Sequence, residues 1–330
     1  MHDMRKRGVL RQYIDWIACK VSGCCTSLKF DGFESESFLL SKGLDQGCPL
    51  LGLAFQFYNS DLVDISVPSS REDTVAFMDD MLLLAQGESL RMTNEWVKQM
   101  MTRKGGGLEW LHTHQCEFAL DKFGVMGLTR RRELDLLGRS QMRPLQRRPI
   151  YLQGVKVPAA AMHKFLEVML DQELRWKEHC QYAIQKGVKW VMQYQRVAKA
   201  SKGVSAKFMR WFFISVAIPR MMHMTDLFLV PGSRISKGSK GFISKLAKIQ
   251  RKAVLHITGA LRSTPMDMID ACTDLVPFHL LVERLMYRAT TRMATLPRSH
   301  PLEKHIACTA NRYVKSHRAP LHEVMHAFKV

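Results

Sequence analysis

The chain reads as an α+β fold, with short hairpins and helices in its first half and helices alone in its second. Three observations predict this. Residues 74–85 (TVAFMDDMLLLA) set two adjacent acids, Asp79 and Asp80, between β-branched or long apolar side chains, the pattern of two short buried strands meeting at a tight turn. Residues 43–58 run from a Gly-rich turn carrying Gln46 and Gly47 into Pro49, a residue favoured in the first turn of a helix; Leu50, Leu53, Ala54, Phe57 and Tyr58 then recur at helical spacing. Beyond about residue 172 the apolar pattern is helical to the end of the chain.

The remaining elements follow in order. Residues 3–22 read as one helix with Leu10, Ile14, Ile17 and Val21 on one face. Residues 26–42 read as a hairpin turned at Asp31-Gly32. Residues 89–104 form a helix that Gly105-Gly106-Gly107 ends. His112, His114 and Cys116 alternate as on one face of a strand, though a zinc site needs a fourth ligand at regular spacing. A strand near 124–128 precedes a polar loop that opens on Arg130-Arg131-Arg132 and stays rich in Arg and Pro through Pro149. Residues 150–157 form a small hairpin, and residues 162–170 a strand pair or a strand-to-helix turn. Ser263 or Thr264, then Pro265 and Asp267, mark a helix start.

The acid pair is the chemical signal. Unpaired buried carboxylates are costly, so two at the tip of a hairpin need a cation or a wet cleft. The bland alternative is a surface turn, where Asp is common. The Gly-Gln turn and helix, followed about 20 residues later by the acidic hairpin, form a specific order of parts.

These two segments, GLDQGCPLL and FMDD, resemble the G-[IL]-P-Q-G-S-P-L-S and F-[AV]-D-D motifs of the reverse transcriptase of non-LTR (LINE-type) retrotransposons. Asp45, Cys48 and Leu51 depart from the commonest pattern; the first two changes also occur in fungal elements of this kind. Three further stretches are similar to family segments in the same order: residues 112–130 (HTHQCEFALDKFGVMGLTR), residues 164–171 (KFLEVMLD) and residues 249–265 (IQRKAVLHITGALRSTP).

The resemblance implies a partial right-hand polymerase palm over 1–160 and an all-helical thumb and connection region over 161–330. It implies RNA-directed DNA polymerase chemistry: nucleotidyl transfer from a dNTP to a DNA primer on an RNA template, with two Mg²⁺ (or Mn²⁺) ions stabilising the attacking and leaving oxygens. Neighbouring side chains on a strand face opposite ways, so the two acids cannot serve one metal pair equally; the resemblance implies that Asp79 is the principal metal ligand and Asp80 the accessory one. Gln46 and Gly47 would contact template and incoming nucleotide, and Phe77 the primer end, with simple core packing as the alternative for Phe77. Lys122 would protonate the leaving pyrophosphate, for which an ordinary solvated lysine is the alternative.

Phe165 and Leu166 match the primer-grip turn, but Glu167 replaces the family glycine, where a positive φ or close backbone approach suits Glu poorly. Arg251 and Lys252 are candidates for phosphate contact or for a solvated helix face. The family's first catalytic carboxylate, in a D-x-x-G-A-F-type segment, belongs before residue 1. The 330 residues alone are therefore expected not to extend a primer, leaving a non-catalytic nucleic-acid-binding remnant or an accessory subunit as the alternatives.

Composition agrees with a polyanionic partner: the formal charge is +19 and the pI about 9.8. No apolar run approaches the ~20 residues of a membrane span, and no signal-peptide block opens the chain. The eight cysteines are scattered without a C-x-x-C, which fits free thiols in a reducing, intracellular compartment.

Overall fold

The computed structural model describes residues 1–40, 48–134, 141–197, 203–230, 239–311 and 320–328. It divides into two units, Met1–Leu166 and Glu167–Val330, a few residues beyond the boundary expected at 160. Among the described residues every sheet has two strands.

The first unit opens with α1 (His2–Lys6) and α2 (Arg11–Val21) rather than one helix. Gly8, at φ +76°, breaks the run, because a left-handed residue ends an α-helix. Ile14 and Ile17 are buried as expected, whereas Leu10 is exposed. Strand β1 (Cys25–Thr26) pairs with β4 (Phe38–Leu39), and β2 (Lys29–Phe30) with β3 (Phe33–Glu34). The turn falls at Asp31-Gly32, both at positive φ, the two-residue pattern that suits a twisted hairpin.

Helix α3 (Pro49–Tyr58) starts with Pro in its first turn after Cys48, and the one-turn α4 (Ser60–Val63) follows. The acidic hairpin is β5 (Glu72–Phe77) and β6 (Asp80–Ala85). Helix α5 (Leu90–Thr102) is capped by Ser89, whose hydroxyl accepts the Met92 N–H at 3.3 Å. Helix α5 stops at Thr102, where Arg103 turns extended ahead of the glycine run, and that run instead opens α6 (Gly107–His114). His112 and His114 therefore lie on a helix, not on a strand, because Leu108 and Leu111, three residues apart, pack into the same core at helical spacing.

The expected strand at 124–128 is reduced to a single bridge between Val125 and Ala159. The expected Arg-rich loop instead forms a hairpin, β7 (Arg132–Leu134) with β8 (Met142–Pro144). The small hairpin β9 (Ile150–Leu152) with β10 (Val155–Val157) forms as expected. Strands β11 (Met162–Phe165) and β12 (Val168–Asp171) flank the division between the units. Leu83 of β6 packs against two cores, one around Met101, Leu152 and Val157 and one around Leu62, Met100 and Trp110.

The second unit is helical beyond β12: α7 (Lys177–Val197), α8 (Ala206–Phe212), α9 (Ile218–Met221), α10 (Lys240–Thr258), α11 (Met266–Thr273), α12 (Phe278–Ala294), α13 (Glu303–Asn311) and α14 (Pro320–Phe328). Asp171 organises the entry to α7 by accepting the N–H groups of Glu173, Arg175 and Trp176 at 3.0, 3.0 and 2.7 Å. The core runs through Val191, Met209, Phe213, Leu246, Ile249, Val254 and Met286. Gly187 lets α7 approach its neighbours: a Cβ there would stand 2.8 Å from Met221 Sδ and 2.9 Å from Ile249 Cδ1. Helix α11 begins just after Pro265, with Asp267 in its first turn, as the sequence indicates. Among the described residues no helix is long and apolar enough to cross a membrane.

Candidate active site on the acidic hairpin

The two carboxylates sit at the tip of the hairpin β5–β6. Phe77 pairs with Asp80 across the strands, which leaves Met78 and Asp79 as the two loop residues. Met78 is left-handed at φ +53°, an uncommon conformation for a non-glycine residue and one that concentrates at functional sites. The strands are not buried on both faces as expected. Glu72 and Thr74 point inward, while Asp73, Val75, Phe77, Asp79 and Asp80 are exposed. A two-stranded ribbon covers only one face, so the acids meet water rather than the core. Neither carboxylate makes a hydrogen bond or ion pair to a described residue. Phe77 is 59% exposed, so it does not serve core packing.

Two anchors aim this tip. Asn59, the residue after α3, donates its side-chain amide to the Met78 carbonyl at 3.1 Å. At the base, Glu72 (side chain 3% exposed) accepts from Arg103 at 2.7 and 3.0 Å and from the Val67 N–H at 3.0 Å. Arg103 also donates to the Ile65 carbonyl. Burial alone would raise the Glu72 carboxyl, but the Arg103 and Val67 donors and the guanidinium charge outweigh it and hold the group below its ordinary value.

Helix α3, which leads into Asn59, is itself locked. Tyr58 donates to the His114 carbonyl at 2.9 Å, lies 2.8 Å from Cys116 Sγ and packs edge-on to Trp110. Burial, then the Cys116 contact, pushes the Tyr58 hydroxyl up to about 12. The chain segment that begins at the Gly-Gln turn thus ends against the hairpin tip. Gln46 and Gly47 themselves lie outside the described residues. Sequence reasoning does not single out Asn59, although a short amide directly after a helix end is a recognisable signal.

The other candidates fall elsewhere. Lys122 is exposed, at the end of a 3₁₀ turn (Leu120–Lys122). The adjoining Phe123 packs against the core that Leu83 also joins. Phe165 ends β11, and Leu166 and Glu167 both take positive φ, +47° and +63°. The turn therefore does use the backbone conformation that disfavours Glu. Within the second unit Glu167 accepts from Tyr182 at 2.7 Å and pairs with Lys186 at 3.0 Å, which offsets its charge.

Arg251 is not a fully solvated helix-face residue. It is half-buried, donating to the carbonyls of Arg262 and Thr264 at 2.7 and 2.9 Å, and so braces the α10–α11 loop. Lys252 is exposed. The neighbouring Gln250, fully buried, donates to the Val276 carbonyl at 3.1 Å and to Asp270 at 3.4 Å; burial raises the Asp270 carboxyl.

No protein-family model matches this chain, and no solved structure matches it. A curated protein does, and the similarity supports a retrotransposon-related origin. Over 90 residues, 25% of this chain, the sequence is 29% identical to the retrovirus-related Pol polyprotein from a type-2 retrotransposable element of Drosophila melanogaster. The match covers 8% of that polyprotein's length.

Proposed function

We propose that this chain is the palm and thumb segment of a non-LTR retrotransposon reverse transcriptase, an RNA-directed DNA polymerase. The observation that carries the reading is the pair Asp79 and Asp80. Both are solvent-facing, without a cation among the described residues, on a hairpin tip held by the helix that follows the Gln-Gly turn. Retrotransposon relatedness supports it independently.

Two carboxylates without other partners suit a hard divalent cation, Mg²⁺ or Mn²⁺, which takes few protein oxygens and completes its shell with water and substrate phosphates. Among the described residues no cluster of three His, Cys, Asp or Glu side chains stands ready as a metal cage. Asp79 and Asp80 would hold the ion at the substrate phosphates. When bound there, it supplies charge stabilisation to the attacking and leaving oxygens. Phe77 offers an exposed ring beside the acids for the primer end and Lys122 an ammonium for the leaving pyrophosphate, while Gln46 and Gly47 would contact template and dNTP. Phe165 and Leu166 would support the primer.

Electron paramagnetic resonance of Mn²⁺ tests this. Weak binding by the chain should tighten when a primed RNA template and dNTP are added. Asp79→Asn should remove that binding and leave template affinity, read by fluorescence anisotropy, nearly intact. Mn²⁺ binding unchanged by Asp79→Asn would defeat the reading. A second reading, a nucleic-acid-binding protein without catalysis, is favoured by the charge of +19 alone. It predicts salt-sensitive template binding with no ternary tightening of the metal.

A further inference from the structure

The β7–β8 hairpin carries a charge pattern that the acidic site does not use. The described residues of 130–148 include six arginines and no lysine, against one acid, Glu133. Arg143 pairs with Glu133 at 3.1 Å. Three others are held by neutral groups. Arg147 is half-buried and donates to three carbonyls, those of Gly127 at 3.1 Å, Leu145 at 2.7 Å and Thr129 at 2.9 Å. Arg131 donates to the Glu88 carbonyl at 2.6 Å, and Arg132 reaches the Met142 carbonyl at 3.5 Å. Arg148 is exposed, and its own carbonyl accepts from Asn94 at 3.3 Å. A carbonyl orients a guanidinium without cancelling its charge, so these side chains are positioned while their field still reaches solvent. The base of the hairpin is bolted to the start of α5 through Glu88 and Asn94. That lowers the ordering cost of any contact made there.

We propose that this hairpin is a docking surface for a nucleic-acid phosphodiester backbone, bound without regard to sequence. Exclusive use of arginine fits phosphate, which a planar guanidinium meets with two parallel donors where an ammonium presents a point charge. Exposed arginines along an extended segment complement a polyanion with regularly spaced charges, and the whole chain's +19 steers in the same direction. The inference shares the nucleic-acid partner of the proposed function but not its metal site.

The test is anisotropy of a labelled 20-base-pair RNA–DNA hybrid against the full chain, in EDTA, from 50 to 200 mM salt. EDTA keeps the outcome independent of Asp79 and Asp80. The variant is Arg131→Gln with Arg132→Gln and Arg148→Gln. The control, Lys189→Gln with Lys207→Gln and Arg284→Gln, removes equal charge from exposed helical positions. The hairpin variant should bind several-fold more weakly, and its slope of log K against log salt should shrink by up to about 0.9 for each phosphate it no longer neutralises. The control should move the slope less. Equal losses in both, or an unchanged slope in the hairpin variant, would overturn the proposal. So would a hairpin variant that loses binding to polyglutamate but keeps the hybrid, since the occupant would then be an acidic protein.

Discussion

Asn59 donates its side-chain amide to the carbonyl of Met78 at 3.1 Å, joining the end of α3 to the left-handed residue that precedes Asp79. The bond spans the break between two sequence motifs that are separate along the chain. It also faces a position where an L side chain is uncommon, so the tip conformation depends on something outside the hairpin. A side chain at Gly52 would come only within ordinary contact of Met78 Cε, at 3.8 Å, so α3 passes close beneath the tip.

Asn59→Ala should therefore loosen the tip without unfolding the unit. One hydrogen bond of this kind contributes about 0.5–1.5 kcal/mol. Amide exchange at residues 77–81 should speed up while exchange in α5 is unchanged, and Mn²⁺ binding should weaken less than in Asp79→Asn. Unaltered exchange at the tip would show that the hairpin holds its own turn.

The base of the hairpin should be the more fragile end. Arg103→Met leaves Glu72 buried beside one backbone donor, and breaking a buried pair from one side costs about 3–5 kcal/mol. Glu72→Gln with Arg103→Met should recover much of that loss. The folded Glu72 carboxyl lies below its unfolded value near ~4.3. Its contribution is thus complete above that value and is lost as pH falls through the folded one. Urea melts from pH 3 to 7 on both variants measure this.

His179 sets a pH dependence in the helical unit. Its Nδ1 accepts the Met169 N–H at 3.2 Å and its Nε2–H donates to the His223 carbonyl at 3.2 Å, so the ring must be neutral. Burial is the main cause that lowers its pKa. The unfolded chain takes up a proton as pH falls through ~6.5 while the folded chain does not. Stability should be flat above that value and decline below it, until the folded ring also titrates. His179→Gln should flatten the decline in melts between pH 5 and 7.

Gly187→Ala should destabilise the second unit by about 1–3 kcal/mol through overpacking, since its methyl group meets Met221 and Ile249, both buried. Thermal melts followed by circular dichroism at 222 nm would register it. Met221→Ala in the same chain should relieve part of the clash, and a Tm unchanged by Gly187→Ala would mean that α7 has room to move away.

Sequence by itself determined the features whose physics is local. Asp31-Gly32 and Gln153-Gly154 turn hairpins because both positions of each pair take positive φ, and Pro49 opens α3 because its fixed φ suits the first turn. The Phe-Met-Asp-Asp run marks a tight hairpin, but only Met78 takes positive φ there and Asn59 holds it from outside, whereas the helical period beyond residue 172 runs through the described part of the second unit. Tertiary structure decided what each side chain meets. It put Asp79 and Asp80 in water rather than in a core, tied Arg251 to the α10–α11 loop, paired Glu167 with Lys186, and set Asn59 under Met78. Periodicity records which way a residue faces along its own element. The partner of a guanidinium or an amide is a carbonyl many residues away, and only the packing of one element against another brings that carbonyl within about 3 Å.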